Sequence, residues 1–326
     1  MTTGAGAGAG TGELARLASG YGLLEGARWY PEHGLVFSDM TAGGVYRLRT
    51  GDGAAAAADA GAAGAAAVGV EVLVPHRKAI GGLVAHADGG FVVSGRNVSV
   101  KATDGTTTVL LEAAPDEQFF NDITADGRGR LFAGSVPRPD EAAALASGSA
   151  AGSAGAGPAA GRLYLIGLDG AVAVLADDVL ISNGLGADPV DRLLYHVDSE
   201  RQMIWRFALD ATDIGASRQA YVSTSEYGTA LPDGLAVAAD GSVWVALAGA
   251  GLVVGWDAGG ARLAEIAVPH ALVTSVCFGG PGLDTLYLLT GTDEAHPNRD
   301  GGSVFAAAAP TAGLPAPVAR VRVRVA

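Results

Sequence analysis

Four short phrases in this chain each place an oxygen-bearing side chain beside glycine or at a turn. Two carboxylates and two carboxamides that converge on one point suit a hard cation, which takes six to eight oxygen ligands. Calcium fits this donor set best, and magnesium, manganese and zinc are alternatives because no softer ligand is specified. We therefore predict one divalent-cation site with ligands Glu25, Asn121, Asn183 and Asp233. The four phrases are Glu25-Gly26, Asn121-Asp122, Ser182-Asn183-Gly184 and Pro232-Asp233-Gly234.

Each phrase opens a similar stretch: an apolar run, a turn built on Asp, Gly or Pro, and a second apolar run such as "LFAGSV" or "SVWVALA". Six such units occur, at spacings of 56, 40, 62, 50 and 42 residues. A period of about 40–50 residues is typical of a four-stranded propeller blade. We predict an all-β six-bladed β-propeller, since a two-sheet sandwich requires fewer than six units. The equivalent points are Glu25, Gly81, Asn121, Asn183, Asp233 and Ser275.

The two longest intervals contain low-complexity segments of Ala, Gly and Ser, at residues 53–69 and 141–160. Glycines interleaved with alanine oppose helix formation, and such a segment has no apolar face to bury. We predict that both are surface insertions and that residues 1–12 form a disordered tail. Residues 13–326 are then a single propeller domain.

The chain ends in "VARVRVRVA", which alternates valine with arginine and predicts a half-exposed strand. The N-terminal "ELARLA" alternates more weakly. We expect one terminal strand to complete a blade begun at the other end of the chain. This arrangement would close the ring and remove open sheet edges.

The formal net charge of −13 argues against nucleic acid and anionic membrane surfaces as partners. The single cysteine, Cys277, allows no intrachain disulfide and is predicted to fill core space. The N-terminus has neither the basic nor the apolar region of a signal peptide. These features predict a cytoplasmic protein that acts on a small molecule, and they leave its oligomeric state open.

Turn chemistry is the competing explanation for each of the four phrases taken singly, because Asn-Gly and Asp-Gly pairs are common at turns. Four acceptors at one register of one repeat favour a shared site instead. His196, in "YHVDSE", follows the Asn183 phrase and is a candidate substrate contact, with a half-buried strand histidine as the alternative. Asp198 lies two residues further on, on the same face of a strand, and is a candidate supporting partner.

The chain resembles the SMP-30/gluconolactonase family of regucalcin-like sugar lactonases. The resemblance spans about residues 20–305 and rests on five motifs in family order, among them "LEGARWYPEHGLVFSDM", "SNGLGADPVDRLLYHVDS" and "LPDGLAVAADGSVWVA". It implies a six-bladed propeller with one divalent cation in its central channel. The residues that match the family ligands are Glu25, Asn183 and Asp233, with Asp233 also matching the proposed general base. Asn121 matches a further asparagine that contacts the metal site or the substrate.

One departure from the family concerns the substrate. Sugar lactonases of the family often carry arginine shortly before the Asn121 position, in a run like "NRFNDG", where this chain has "DEQFFNDI". Phe119 therefore stands in the place of the arginine, and Ile123 replaces a glycine. Apolar groups leave sugar hydroxyls without partners, which weakens binding. Gln118 and Glu117 are the candidates for replacement polar contacts.

These observations predict a metal-dependent hydrolase of the lactonase type. The cation would polarise a lactone carbonyl while Asp233 activates a water molecule. The alternatives are hydrolysis of another ester or phosphoester at the same metal, or a calcium- or ligand-binding propeller without turnover. A propeller scaffold for protein contacts is a third possibility, because fold alone does not determine function.

Overall fold

Antiparallel strands form most of the regular structure in the computed structural model, which describes residues 14–49, 69–139 and 160–323. The strands group into six sheets, five with four strands and one with five. The first strands of successive sheets contact one another, and the first strand of the last sheet contacts that of the first sheet. This closed circuit is the predicted six-bladed β-propeller.

In the first three blades the strands follow one another along the chain. Blade 1 consists of β2 (Leu24–Tyr30), β3 (Gly34–Asp39), β4 (Val45–Leu48) and β5 (Val70–Val74). Blade 2 consists of β6 (Leu83–His86), β7 (Phe91–Val93), β8 (Asn97–Lys101) and β9 (Thr107–Glu112). Blade 3 consists of β10 (Glu117–Ala125), β11 (Leu131–Pro137), β12 (Gly161–Ile166) and β13 (Val172–Val179).

The last three blades repeat this order, except that the N-terminus supplies the outer strand of blade 6. Blade 4 consists of β14 (Ser182–Ala187), β15 (Leu193–Asp198), β16 (Met203–Ala208) and β17 (Gln219–Ser223). Blade 5 consists of β18 (Leu231–Val237), β19 (Val243–Ala248), β20 (Leu252–Trp256) and β21 (Arg262–Ala267). Blade 6 consists of β22 (Val273–Gly279), β23 (Thr285–Thr290), β24 (Gly302–Ala308) and β1 (Ala15–Tyr21). Within the described residues, two 3-10 helices also occur, at Gly215–Ser217 and Ser225–Tyr227.

Both terminal segments pair with strands from distant parts of the chain, and the N-terminal one closes the ring. Strand β1 pairs antiparallel with β24, with Ala15 opposite Ala306, which confirms the predicted exchange of a terminal strand. The C-terminal segment instead forms the short strand β25 (Val318–Ala319), which pairs parallel with β6. Beyond it, the amides of Arg320 and Arg322 donate to carbonyls of blade 3. The predicted alternation is present, with both arginines exposed.

The two insertions interrupt hairpins. Leu48 of β4 pairs with Val70 of β5, on either side of the first. Gly134 of β11 pairs with Leu163 of β12, on either side of the second. Apart from their end residues, Gly69 and Ala160, both insertions lie outside the described residues, as does the predicted N-terminal tail.

The core lies between neighbouring blades, where apolar side chains from facing sheets pack together. Trp244 and Trp256 are buried there, and so is Cys277, as predicted. Burial raises the pKa of the Cys277 thiol to about 12, so the thiol is neutral at physiological pH. Among the residues the structure describes, no helix has the length and apolar character needed to cross a membrane.

Candidate metal centre

The four predicted ligands lie in four first strands: Glu25, Asn183 and Asp233 near the starts of β2, β14 and β18, and Asn121 in the middle of the longer β10. In each strand the register with its neighbour shifts at this point, which marks a β-bulge or similar irregularity. A bulge re-aims a side chain out of the regular alternation of a strand. The same local irregularity therefore turns one oxygen-bearing side chain in each of four blades out of the regular alternation of its strand. The shifts lie between Glu25 and Arg28, Phe120 and Ile123, Ser182 and Leu185, and Pro232 and Leu235.

Glycine follows three of the ligands because the next blade lies against it. A Cβ atom on Gly184 would lie 2.5 Å from the carbonyl oxygen of Asp233, and one on Gly234 would lie 2.8 Å from that of Thr274. Gly26 also has a positive φ of 63°, which favours glycine. These dipeptides belong to strands, so close approach of neighbouring strands accounts for their glycines and turn chemistry does not.

The four side chains are buried and partly bonded to one another's strands. Glu25, Asn121, Asn183 and Asp233 are each less than one-tenth exposed. The side-chain amide of Asn183 donates a hydrogen bond to the Asp233 carboxylate. The Asn121 amide donates to the carbonyl of Ser182, at 3.0 Å from Nδ2. Each donation leaves the amide oxygen of the asparagine available as an acceptor.

The two carboxyl groups are held in an unfavourable environment. Burial raises the pKa of Glu25 well above its usual value, and the negative charge of Asp233 and then of Asp122 raises it further. Burial likewise raises the pKa of Asp233, followed by the charge of Asp122, while the hydrogen bond from Asn183 opposes the shift. A cation between the two carboxylates would relieve both effects.

The donor set fits a hard divalent cation. The Oδ1 atom of Asp233 is buried and has no hydrogen-bond partner among the described residues. A buried acceptor without a donor is costly, and a bound cation would satisfy it. Across residues 14–49, 69–139 and 160–323 no three His, Cys, Asp or Glu side chains group as metal ligands. A cation here would therefore depend on asparagine oxygens together with the two carboxylates.

Sequence reasoning missed a basic residue beside this cluster. Arg28, on β2, is buried, and its Nη2 atom lies 3.4 Å from Oδ1 of Asp122 and 3.0 Å from the carbonyl oxygen of Ile123. Asp122 is also buried and accepts from the amides of Ile123 and Leu185. The sequence signal that could have revealed Arg28 is a basic residue in the otherwise apolar run between "LEG" and "WY".

The residues proposed to contact substrate differ in accessibility. Gln118 is exposed and Phe119 is half-buried, on the β10 segment that leads to Asn121. The Glu117 carboxylate is buried and accepts from Ser135, Arg162 and Tyr164, so it holds blade 3 together. Of the two candidates for a polar contact with the substrate, Gln118 is therefore the one that is accessible to it.

His196 is buried next to the strand that carries Asn183. It is 1% exposed, and its Nε2 atom is 2.8 Å from the hydroxyl oxygen of Ser182, the residue before Asn183. Burial lowers the pKa of the imidazole to about 3, so the ring is neutral. Any effect of His196 on a substrate must pass through Ser182 and Asn183. Asp198 accepts from the amides of Leu180 and Ile181 and so holds the backbone that leads to this segment.

A cavity of about 360 Å³ lies towards the other end of the first strands. Apolar residues such as Leu235 and Phe278 line it, together with Arg28, and residues 314–317 cover it. The hydroxyl of Tyr30 donates to the carbonyl of Pro317 and fixes this covering segment. The chemistry-bearing groups therefore lie at one end of the channel and the cavity at the other.

Comparison with known proteins identifies the family. The model of the SMP-30/Gluconolactonase/LRE-like region matches residues 23–292. This chain belongs to that family. The match confirms the resemblance found in the sequence, and it confirms the lactonase-type hydrolase class that the resemblance implied.

Several relatives of this family member carry lactonase names. It is 32% identical to pentonolactonase XacC of Haloferax volcanii over 270 residues, which are 82% of this chain and 81% of that protein. It is 27% identical to 6-deoxy-6-sulfogluconolactonase of Pseudomonas putida over 79% of each chain. The crystal structure of a calcium-binding protein, regucalcin, from Agrobacterium tumefaciens strain C58 shares the fold with a TM-score of 0.73. That structure is 21% identical and covers 95% of this chain and 97% of its own.

Neutralising either carboxylate is expected to stabilise the metal-free protein at pH 8. Because folding raises the pKa of Glu25 and of Asp233, the folded state binds more protons between the unfolded and folded pKa values. Stability therefore falls as the pH rises through that interval. Glu25→Gln and Asp233→Asn remove this effect, so the Tm of each variant should exceed that of the wild type, by about 2–4 °C per kcal/mol regained.

Calorimetric melting in the presence of a chelator measures the effect. The difference from the wild type should narrow as the pH falls and close below about pH 3, where the carboxyl groups are protonated in both states. Equal Tm values at pH 8, or a difference that grows as the pH falls, would show that these carboxyl groups are not under electrostatic strain.

Proposed function

We propose that this protein is a metal-dependent lactonase that opens a lactone or related ester with water. The observation that carries the proposal is the unpartnered, buried Oδ1 of Asp233 beside Glu25 and Asn183, at one register of the propeller. Family membership and the lactonase relatives support the same reaction class. The proposed ligands of the cation are Glu25, Asn183 and Asp233, with Asn121 as a fourth contact to the cation or the substrate.

A divalent cation, with calcium as the first candidate, would supply Lewis-acid polarisation of the lactone carbonyl at this site. Zinc, magnesium or manganese would supply the same chemistry. Glu25 contributes charge and an oxygen ligand, and Asn183 contributes an amide oxygen. Asn183 also donates to the Asp233 carboxylate, which favours the ionised form of that group.

Asp233 is the proposed general base. Its carboxylate accepts a proton from water as the water oxygen adds to the carbonyl carbon. The bond from that carbon to the ring oxygen then breaks, and the ring oxygen takes a proton to give a hydroxy acid. Burial raises the pKa of Asp233 in the metal-free protein, and a bound cation would lower it again, which would keep the carboxylate ionised and able to accept the proton.

The substrate is proposed to be more apolar than gluconolactone. Phe119 is half-buried on the strand that carries Asn121, at the position where the family resemblance implies an arginine in sugar lactonases. A phenyl ring gives sugar hydroxyls no hydrogen-bond partner, and a site with few donors rejects a polyhydroxylated ring. Gln118, which is exposed beside it, is the proposed polar contact.

We also propose that the protein acts in the cytoplasm, on a small molecule. Its single cysteine, Cys277, leaves no intrachain disulfide that would require an oxidising compartment. Its net charge of −13 disfavours nucleic acid as a partner.

Asp233→Asn should reduce kcat by about 10²–10⁴-fold, the usual contribution of a general base, because the amide cannot accept the proton. Glu25→Gln should act mainly on the affinity for the cation, so excess calcium should partly restore its activity. Initial rates on a panel of lactones, measured across calcium concentrations, separate the two effects. Full activity of Asp233→Asn would contradict the mechanism, and calcium binding without turnover of any lactone, ester or phosphoester would make the protein a binding propeller.

Phe119→Arg should shift preference towards gluconolactone, since it restores a hydrogen-bond donor for sugar hydroxyls. We expect the ratio of kcat/KM for gluconolactone to that for an aliphatic lactone to rise about tenfold or more, the usual worth of one good polar contact. Val109→Arg, at an exposed site on the outer strand of blade 2, controls for the added charge. A wild-type enzyme that already prefers gluconolactone would refute the specificity argument.

A further inference from the structure

We propose that Arg28 and Asp122 form a buried ion pair that positions the strands carrying Glu25 and Asn183, and so sets the affinity of the cation site. Both are positioning residues, because the structure gives them contacts with the ligand-bearing strands. The inference rests on the proposed metal-binding function. It adds two residues to the determinants of that site.

The pair spans from blade 1 to blade 3. The side chains of Arg28 and Asp122 are 8% and 6% exposed, and 3.4 Å separates Nη2 from Oδ1. Nη2 also donates to the carbonyl of Ile123 at 3.0 Å. Blade 2 lies between these blades and has no side chain in the way: a Cβ atom on Gly82 would lie 2.5 Å from Oδ1 of Asp122. The glycine at this position leaves the space that the carboxylate needs.

From blade 3 the contacts continue to blade 4. Oδ2 of Asp122 accepts from the amide of Leu185 at 3.1 Å. The neighbouring residue, Asn121, donates to the carbonyl of Ser182 at 3.0 Å. These two bonds hold the β14 backbone on both sides of Asn183. Asp122, together with Asn121, therefore fixes the irregular segment that presents Asn183.

On blade 1, Arg28 belongs to the same irregular segment as Glu25, because the register shift of β2 lies between these two residues. Its Nη1 atom donates to the carbonyl of Ala27 at 2.9 Å, which fixes the guanidinium against its own strand. The ion pair thus joins the segment that carries Glu25 to the segment that carries Asn183.

Charge and position make opposite predictions for the loss of Arg28. With Glu25, Asp122 and Asp233 ionised, Arg28 brings the formal charge of the four groups to −2, which a divalent cation would neutralise. Removing Arg28 leaves −3, and Coulomb attraction alone would then strengthen cation binding. If Arg28 acts by position, the same change weakens binding.

Calorimetric titration of the metal-free protein with calcium chloride decides between the two. We expect Arg28→Gln to weaken calcium binding by about 10- to 100-fold, the usual effect of losing a partner that orients a ligand. The double variant Arg28→Gln/Asp122→Asn has the wild-type formal charge and should remain weakened. Arg130→Gln breaks an ion pair with Asp126 elsewhere on blade 3 and should bind calcium like the wild type.

Arg28→Lys is the second single variant, and it decides the question if Arg28→Gln does not fold. Lysine keeps the charge but cannot reproduce the forked contacts with Ala27 and Ile123. A several-fold weaker affinity in folded Arg28→Lys is expected, and wild-type affinity would overturn the inference. Affinity equal to or above the wild type in folded Arg28→Gln would also overturn it and leave the proposed function intact. A wild-type protein that binds no divalent cation would overturn both.

Discussion

Glu25 and Asp233 place two carboxylates close together inside the channel of the propeller, shielded from water. Burial is the largest cause that raises the pKa of each, and the charge of a neighbouring carboxylate adds to it. An ionised carboxylate that is buried without a partner is costly, so this arrangement is stable only if the scaffold enforces it or a cation neutralises it. A functional site that opposes folding in this way depends on rigid support elsewhere in the molecule.

The support comes from contacts between neighbouring blades, made at the level of the ligands. The hydroxyl of Ser38 donates to the carbonyls of Glu25 and of Ile80, which joins blade 1 to the segment that leads into blade 2. The hydroxyl of Ser199 donates to the carbonyl of Pro232, one residue before Asp233, at 2.6 Å. Each ligand-bearing strand is thus held by the blade beside it. Strand β1 pairs with β24 and leads into β2, which links blade 6 to blade 1 and closes the ring.

Much of this could be predicted from the sequence because the repeat itself carries the information. A ligand followed by glycine at one register specifies both the side chain and the close approach of the next strand. Arg28 could not be found in this way, since it occurs in one blade and its partner Asp122 lies 94 residues later. Glu117 could be placed wrongly from the sequence for the same reason. It is close to Asn121 in the sequence, but in the structure its carboxylate accepts hydrogen bonds from Arg162 and Tyr164 on β12 of the same blade. Such pairings depend on contacts in the folded structure, and the spacing of repeats along the sequence does not predict them.

The central claim is that Glu25, Asn183 and Asp233, from three blades, hold one divalent cation. A crystal structure of the protein grown with calcium tests it most directly. The account predicts one calcium ion in the channel, with oxygens of all three residues at about 2.3–2.6 Å. A channel without an ion at saturating calcium, or an ion held by other residues, would contradict it.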